Sequence, residues 1–366
     1  MKIMISREKF LDALQKVASI IGSRSTLPVL SNVLIEAVGE KIVLTTTDLE
    51  IRMTTEIECK VEEGGKTTLP AKKLLSIVRS LPVEEKDLSL KGDDNHHISI
   101  QCGKPQFKLL GLAPDDFPQP VPMTPVRTIK LSQVELSRIF GQISYAVSID
   151  DSRKVLNGIL LSVKENTFTA VATDGKRLAL VEKVIEKYEG EEGDSIVPSR
   201  SANELTRVLQ KEGEVTIEIG ENQASFKVGN TVMMTKLVEG NYPNYRQVIP
   251  TSFSKKVQIP SAAFSSALLR VSLVVSESSS FVKMTFNKTT LLLHASSSEF
   301  GESKESIDIE YGGPELNISF NPIFLSDPFK NIDADKVEFQ MNDGYSPVAI
   351  SGGEGFLYVI MPVRSK

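Results

Sequence analysis

Two adjacent acid pairs, Asp115-Asp116 and Asp150-Asp151, are the first candidates for reactivity, because paired carboxylates can hold the two divalent ions that cleave phosphodiesters. Each pair is flanked by turn residues and has no further clustered ligand, so both read as loop acids. His96, His97 and His294 are the only histidines, and the adjacent two follow the turn Gly92-Asp93-Asp94-Asn95, a solvated position. Gly312-Gly313 and Gly352-Gly353 lack both the lysine–serine of a phosphate-cradling loop and the spacing of a dinucleotide site. Cys59 and Cys102 lie far apart with no CxxC partner, which points to neither a disulfide nor zinc. No catalytic residue, metal or cofactor is expected, and the chain is expected neither to bind nor to hydrolyse a nucleotide by itself.

A turn near the middle is more informative. Val171 and Ala172 end one apolar run and Leu178 to Val181 begins another, with Thr173-Asp174-Gly175 between them. Asp bonds its own backbone in tight turns and Gly accepts positive φ, so a β-hairpin is predicted that presents Lys176 and Arg177 at the start of its return strand. Asp48 sits in an equivalent turn, so the recurring acid is read as structural.

The 366 residues suggest two or three domains, with the 40% apolar and 24% charged content of an ordinary globular protein. Tryptophan is absent and aromatics are few, which gives no hint of a base-stacking platform. The net charge of −5 speaks against an all-over basic coat but leaves room for a local basic surface. Met1 to Ser19 reads as an amphipathic charged stretch rather than a signal peptide, and no apolar run approaches a membrane span. A reducing, cytoplasmic location is expected.

Laid against itself, the chain repeats with a period of about 120–130 residues, too long for a solenoid, so each repeat is a domain. Each opens with a strand and an amphipathic helix. Phe10, Leu14, Val17 and Ile21 share one face, closed by Gly22; Leu136, Ile139, Phe140 and Ile143 follow a Ser132-x-x-Glu135 capping box. Phe264, Leu268, Val271 and Val275 follow Ser261 as the expected N-cap. A second helix follows Pro70, Pro198 and Pro322, although Pro328 should kink or restart the third. Proline-bearing crossings put the boundaries at 1–128, 129–253 and 254–366. The expected fold is α+β, with three repeated domains of two helices packed on antiparallel strands.

Thr26-Leu-Pro-Val-Leu30-Ser-Asn32, Thr47-Asp48-Leu49-Glu50, Leu156-Asn157-Gly158 and Ala172-Thr-Asp-Gly-Lys-Arg-Leu-Ala179 are spread along the chain in that order. Lys236-Leu-Val, Tyr242-Pro-x-Tyr245 and Val359-Ile-Met-Pro-Val-Arg364 complete the set. In this order and spacing, over its whole length, the chain resembles the bacterial sliding clamps, the beta subunits of DNA polymerase III. The resemblance implies a head-to-tail homodimeric ring around duplex DNA, nucleoid-associated during replication, with helices lining the hole and sheet outside. It also implies a non-catalytic processivity factor, opened by an ATP-driven clamp loader. Its partners would be the replicative polymerase, the loader, repair polymerases and mismatch-repair proteins, bound through a short linear motif.

Repeated helices carry cations opposite their apolar stripes, which reads as a shared basic lining. The candidates for DNA contact are Lys72, Lys73, Arg79, Arg138, Arg200 and Arg207, with Lys9, Lys16, Lys211 and Arg270 as further members. Phosphate contacts would make binding sequence-independent and steeply salt-dependent. The resemblance adds rim positions: Arg24, and Arg153 and Lys154 where some members carry tyrosines. It also implies a peptide groove. From the central repeat this would use Leu156, Thr173, Gly175, Lys176, Arg177, Leu178, Pro243 and Val248. From the third it would use Tyr345, Ser346, Val359, Met361, Pro362, Val363 and Arg364. Leu178, Val248, Val359 and Met361 would make the apolar pocket, with Arg177 and Arg364 at its rim. Lys176 stands where histidine is common, and the tail from Val363 departs from the usual methionine-rich ending. For ring closure, Lys104, Phe107 and Lys108 would face Val274, Val275, Glu299, Glu302 and Glu305 of a second copy. The competing readings are a nuclease using the acid pairs and a divergent clamp-like peptide scaffold that does not encircle DNA.

Overall fold

The periodic apolar stripes form helices, and the alternating runs form strands that hydrogen-bond across repeat boundaries. The computed structural model describes residues 1–22, 27–186, 188–276 and 281–364. Its α-helices are α1 (Arg7–Ala18), α2 (Ala71–Ser80), α3 (Gln133–Ile143), α4 (Ser199–Val208), α5 (Ser261–Val271) and α6 (Pro322–Ser326). The stripes Phe10/Leu14/Val17, Leu136/Ile139/Phe140/Ile143 and Phe264/Leu268/Val271 are all buried, each side chain worth roughly 1.5–3 kcal/mol of burial.

The helix ends follow local chemistry. The Ser132 hydroxyl accepts the Glu135 N–H at 3.1 Å and donates to its carboxylate at 3.1 Å, a reciprocal cap. Ser261 does not cap α5 as expected: it is the first helical residue, and its hydroxyl is buried without a partner. The strand Lys255–Pro260 runs straight into α5, and the Ser261 N–H bonds the Asp335 carbonyl instead. Helix α1 stops at Ala18, before Gly22, where the Ser19 hydroxyl bonds the Lys16 carbonyl at 2.9 Å. Pro328 limits α6 to five residues and opens the 3-10 turn Pro328–Lys330, as its missing N–H dictates.

The chain divides into two compact units. Unit 1 comprises Met1–Leu136, Lys187–Glu191 and Arg200–Leu237; unit 2 comprises Ser137–Glu186, Glu192–Ser199 and Val238–Lys366. The central repeat therefore contributes to both. Unit 1 holds a nine-stranded antiparallel sheet. Its order is Tyr188–Gly190, Arg127–Ser132, Glu214–Ile219, Gln223–Val228, Thr231–Lys236, Ile51–Glu58, Lys41–Thr47, Asn32–Val38 and Gly65–Pro70. Unit 2 holds an eight-stranded sheet in the order Gly193–Pro198, Gly158–Lys164, Thr167–Thr173, Arg177–Val184, Phe356–Ile360, Val348–Ser351, Lys336–Met341 and Lys255–Pro260.

Each large sheet is two half-sheets from consecutive repeats joined at one seam. Thr231–Lys236 pairs with Ile51–Glu58, placing Met233 opposite Met53, and Phe356–Ile360 pairs with Arg177–Val184, placing Val359 opposite Leu178. All four of these side chains are buried. Unit 1 also has a five-stranded sheet ending in the free edge Gln106–Leu109, and unit 2 a four-stranded sheet ending in the free edge Gly301–Asp308.

The two Thr-Asp turns have one construction. Thr173 Oγ1 donates to the Arg177 carbonyl and accepts the Gly175 N–H, while Asp174 Oδ1 accepts from Lys176 and Arg177. Thr47 and Asp48 make the same four bonds to Ile51, Leu49, Glu50 and Ile51. The left-handed position is Gly175 at φ 84° in one and Leu49 at φ 78° in the other. Gly175→Ala is expected to cost about 1 kcal/mol of stability, and its Cβ would close to 3.2 Å on Arg153 Nη1. Leu49→Gly, at an exposed side chain, is expected to gain about 0.5 kcal/mol. Urea denaturation reads both, and equal signs would contradict the equivalence of the turns.

Candidate partner groove and basic helix faces

On a strand, successive side chains point to opposite faces, and the strand Arg177–Val184 uses both. Leu178 and Leu180 join Leu160, Val171, Ile196, Tyr245, Ala349 and Val359 in a buried apolar cluster. Val155, Val238, Tyr242, Ile249, Phe253 and Leu357 lie half-buried against it. This cluster brings the expected pair Leu178 and Val359 together in the core of unit 2. Leu180 and Tyr245 were not expected in it. Two-residue spacing from Leu178 would have found Leu180, and the Tyr242-Pro-x-Tyr245 motif carries both tyrosines.

Arg177 occupies the opposite face, which corrects its expected place at the groove rim. Its side chain is 8% exposed, with Nε 3.1 Å from the Asp174 carboxylate and Nη1 2.6 Å from Asp327. Nη2 donates to the Tyr145 carbonyl, and the guanidinium lies 4.3 Å from the centre of the Phe324 ring. Burial alone would lower the Arg177 pKa, but its hydrogen bond to Asp327 and its other partners outweigh this and raise the value. Burial also raises the Tyr145 and Tyr358 hydroxyls, and Tyr358 donates to the Phe324 carbonyl at 2.7 Å. The arginine thus ties the hairpin to α6 inside unit 2.

The remaining groove candidates divide by exposure. Leu156 and Thr173 are buried; Gly175, Lys176, Pro243, Val248, Tyr345, Met361, Val363 and Arg364 are exposed, and Ser346 and Pro362 are half-buried. Met361 donates its N–H to the Lys176 carbonyl of the hairpin and Val363 to the Ser319 carbonyl of the strand Leu316–Phe320, which fixes the tail at two points. Asp343 accepts from Tyr345 and Ser346, and those bonds hold its carboxyl below the usual range.

The cationic candidates are exposed where described except Lys16, which is half-buried; Arg24 lies outside the described residues. Lys73 and Arg79 on α2, Arg138 on α3 and Lys154 pair with no carboxylate among the described residues. Lys72 donates to the Gly22 carbonyl at 3.0 Å, and Arg153 lies 3.6 Å from Asp150. Arg200 pairs with Asp48 at 2.5 Å and Arg207 with Glu204 at 2.9 Å. Arg270, Lys16 and Lys9 differ in the same way: Arg270 is forked onto Glu305, Lys16 bonds Asp12, and Lys9 is exposed.

At the free edges, Phe107, Lys104 and Lys108 are exposed on or beside Gln106–Leu109, and Lys108 lies 3.3 Å from Asp93. In unit 2, Glu302 pairs with Lys304 and His294, Glu305 with Arg270, and Glu299 is exposed. Val274 and Val275 are half-buried, whereas Leu269 and Leu273 beside them are 70% and 75% exposed. Neither leucine was expected. Leu269 falls off the buried stripe of α5 and Leu273 lies in the turn after it, and only the structure shows that no described residue covers them.

Among the described residues no three histidines, cysteines or acids form a metal-binding group, and no helix is long and apolar enough to cross a membrane. Arg177→Met is expected to destabilise the protein by about 3 kcal/mol, because it strands two buried carboxylates. Adding Asp327→Leu should recover part of that loss in urea denaturation. A neutral single substitution would contradict a structural role.

The N-terminal, central and C-terminal domain models of the DNA polymerase III beta subunit match residues 1–121, 130–244 and 246–364. The chain is similar to the beta sliding clamp of Chlamydia muridarum, 33% identical over 364 residues covering 100% of this chain and 99% of that protein. It is also similar to the crystal structure of the DNA polymerase III subunit beta from Pseudomonas aeruginosa, at 31% identity and a TM-score of 0.95 over 100% of both chains. A DnaN sliding clamp from the same species, solved bound to griselimycin, matches equally well, at 31% identity and TM-score 0.95 over 100% of both chains. With all three domain models matched in order along its length, the chain belongs to the DNA polymerase III beta subunit family, the beta sliding clamps.

Proposed function

We propose that this chain works as a non-catalytic DNA sliding clamp: two copies close head to tail around duplex DNA and tether a polymerase and other replication and repair proteins. The observation that carries the proposal is the repeated seam. The closing strand of the second repeat pairs with the hairpin return strand of the first, and that of the third pairs with that of the second. The two strands left over by this rule are Gln106–Leu109 and Gly301–Asp308, each an edge strand of its own sheet. Pairing them between copies satisfies the rule a third time and closes a ring after two subunits. Lys104 and Lys108 flank one edge, and Glu299, Glu302 and Glu305 lie on or beside the other. Their intrachain partners are exposed ion pairs of about 1 kcal/mol or less, so they exchange readily for partners across an interface.

The cations on α2 and α3, with Arg153 and Lys154 on the rim loop, suit phosphate contacts that carry no sequence information. Encirclement makes tight binding unnecessary, and base-specific contacts would stop sliding. The apolar floor at Leu178 and Val359 suits aliphatic anchors of a linear motif, with Met361 and Val248 as adjustable walls. Such a groove holds a polymerase at high effective concentration near the primer end. The partners would be the replicative polymerase, the clamp loader and repair proteins, in the cytoplasm.

Loaded by a clamp loader onto a nicked circular duplex, the protein is expected to remain bound through gel filtration and to run off once the circle is linearised. Loss from the intact circle, under conditions that retain a known clamp, would contradict encirclement. Phe107→Ala and Leu273→Asp are each expected to weaken the dimer at least tenfold in sedimentation at low concentration. Dimers unaffected by both would contradict the edge assignment.

A further inference from the structure

The seam in unit 1 has its own groove, and its chemistry differs from that of its counterpart. Thr47 stands opposite Arg52 across one hairpin as Thr173 stands opposite Leu178 across the other. Arg52 in turn faces Met234 as Leu178 faces Val359. By register, then, Arg52 replaces Leu178 at the centre of the groove floor. In the same frame Leu34 replaces Leu160, Thr45 replaces Val171 and Thr54 replaces Leu180.

The site is an open cavity of about 520 Å³, within the range of small-ligand and peptide pockets. Val43, Val232 and Met234 form half-buried apolar walls, with Pro114 and Pro118 beside them. Arg52 is half-buried on the floor, over the Phe117 ring at 5.8 Å, and one Nη2 donates to the Pro118 carbonyl. No carboxylate pairs with it among the described residues. Desolvation lowers its pKa, and the more distant Glu36 carboxylate offsets this only in part. Of the acids lining the cavity, Glu36 is taken by Lys66 at 2.7 Å, and Asp115 is exposed at the rim. A ligand carboxylate is therefore repelled at the rim and attracted at the floor, where most of the guanidinium fork remains free.

We infer that this polar counterpart is a second peptide site, one that takes a short extended segment with a carboxylate side chain beside an aliphatic one. Only the choice of a peptide as ligand rests on the partner-groove reading of unit 2. The carboxylate requirement rests on Arg52. Two unlike grooves in one chain let a partner carrying two different motifs bind at two points, or let two partners bind without competing.

The test is methyl NMR of the full chain, reading Leu34, Val43, Val232 and Met234 during titration with acetyl-Ala-Leu-Asp-Leu-amide. Saturable shifts of these methyls are expected, at least fivefold weaker with the Asn peptide in place of Asp and lost in Arg52→Gln. The peptide substitution leaves the protein untouched, so it keeps the test valid if Arg52→Gln misfolds. Shifts confined to Leu178, Leu180 and Val359, equal binding of the Asp and Asn peptides, or no shift at all would each overturn the inference. So would equal shifts with succinate alone, which would make the site one for small carboxylates. Retention on circular DNA is independent of every one of these outcomes.

Discussion

Backbone groups at the edge of a sheet must be paired or left to water, and this fold is arranged by how it meets that demand. Twice within the chain an edge strand of one repeat is completed by the next repeat, and each completion produces a large continuous sheet. The central repeat is consequently shared between the two compact units, so domains marked by sequence repetition and units marked by packing are different divisions of one chain. Buried Met233 against Met53, and Val359 against Leu178, make each seam a piece of core as well as a ladder of hydrogen bonds.

The second constraint is strand alternation. Along Arg177–Val184 one face joins a buried apolar cluster and the other carries a buried arginine with two carboxylates and two aromatic rings. The Arg177 cluster fixes the hairpin to α6 from behind the apolar cluster. In unit 1 the register puts Ile51 at the position of Arg177 and Arg52 at that of Leu178, and the turn acid Asp48 pairs with Arg200 instead.

Much of this was legible in the sequence. The three helical stripes, the capping box at Ser132 and the restart at Pro328 follow from spacing and from proline's missing N–H, which act within a few residues. The Thr173-Asp174-Gly175 turn was equally local. Less legible was anything that depends on distant partners. Ser261 looks like a cap until the Asp335 carbonyl takes its N–H. Arg177 is placed at the rim by the resemblance alone, and period-two alternation in the strand puts it on the face opposite Leu178. The exposure of Leu269 and Leu273 follows from what fails to cover them, which no local pattern records.

Ring closure is the step on which the function rests, and in this account it repeats the internal seam between two copies. Amide hydrogen exchange at Gln106–Leu109 and Gly301–Asp308, followed over a dilution series, tests it most directly, because these strands have no partner strand among the described residues on their outer edge. The account predicts strong protection of both edges at concentrations where the protein is dimeric, lost together on dilution to monomer. Exchange that stays fast on both edges in the dimer, or protection that does not change with concentration, would contradict it.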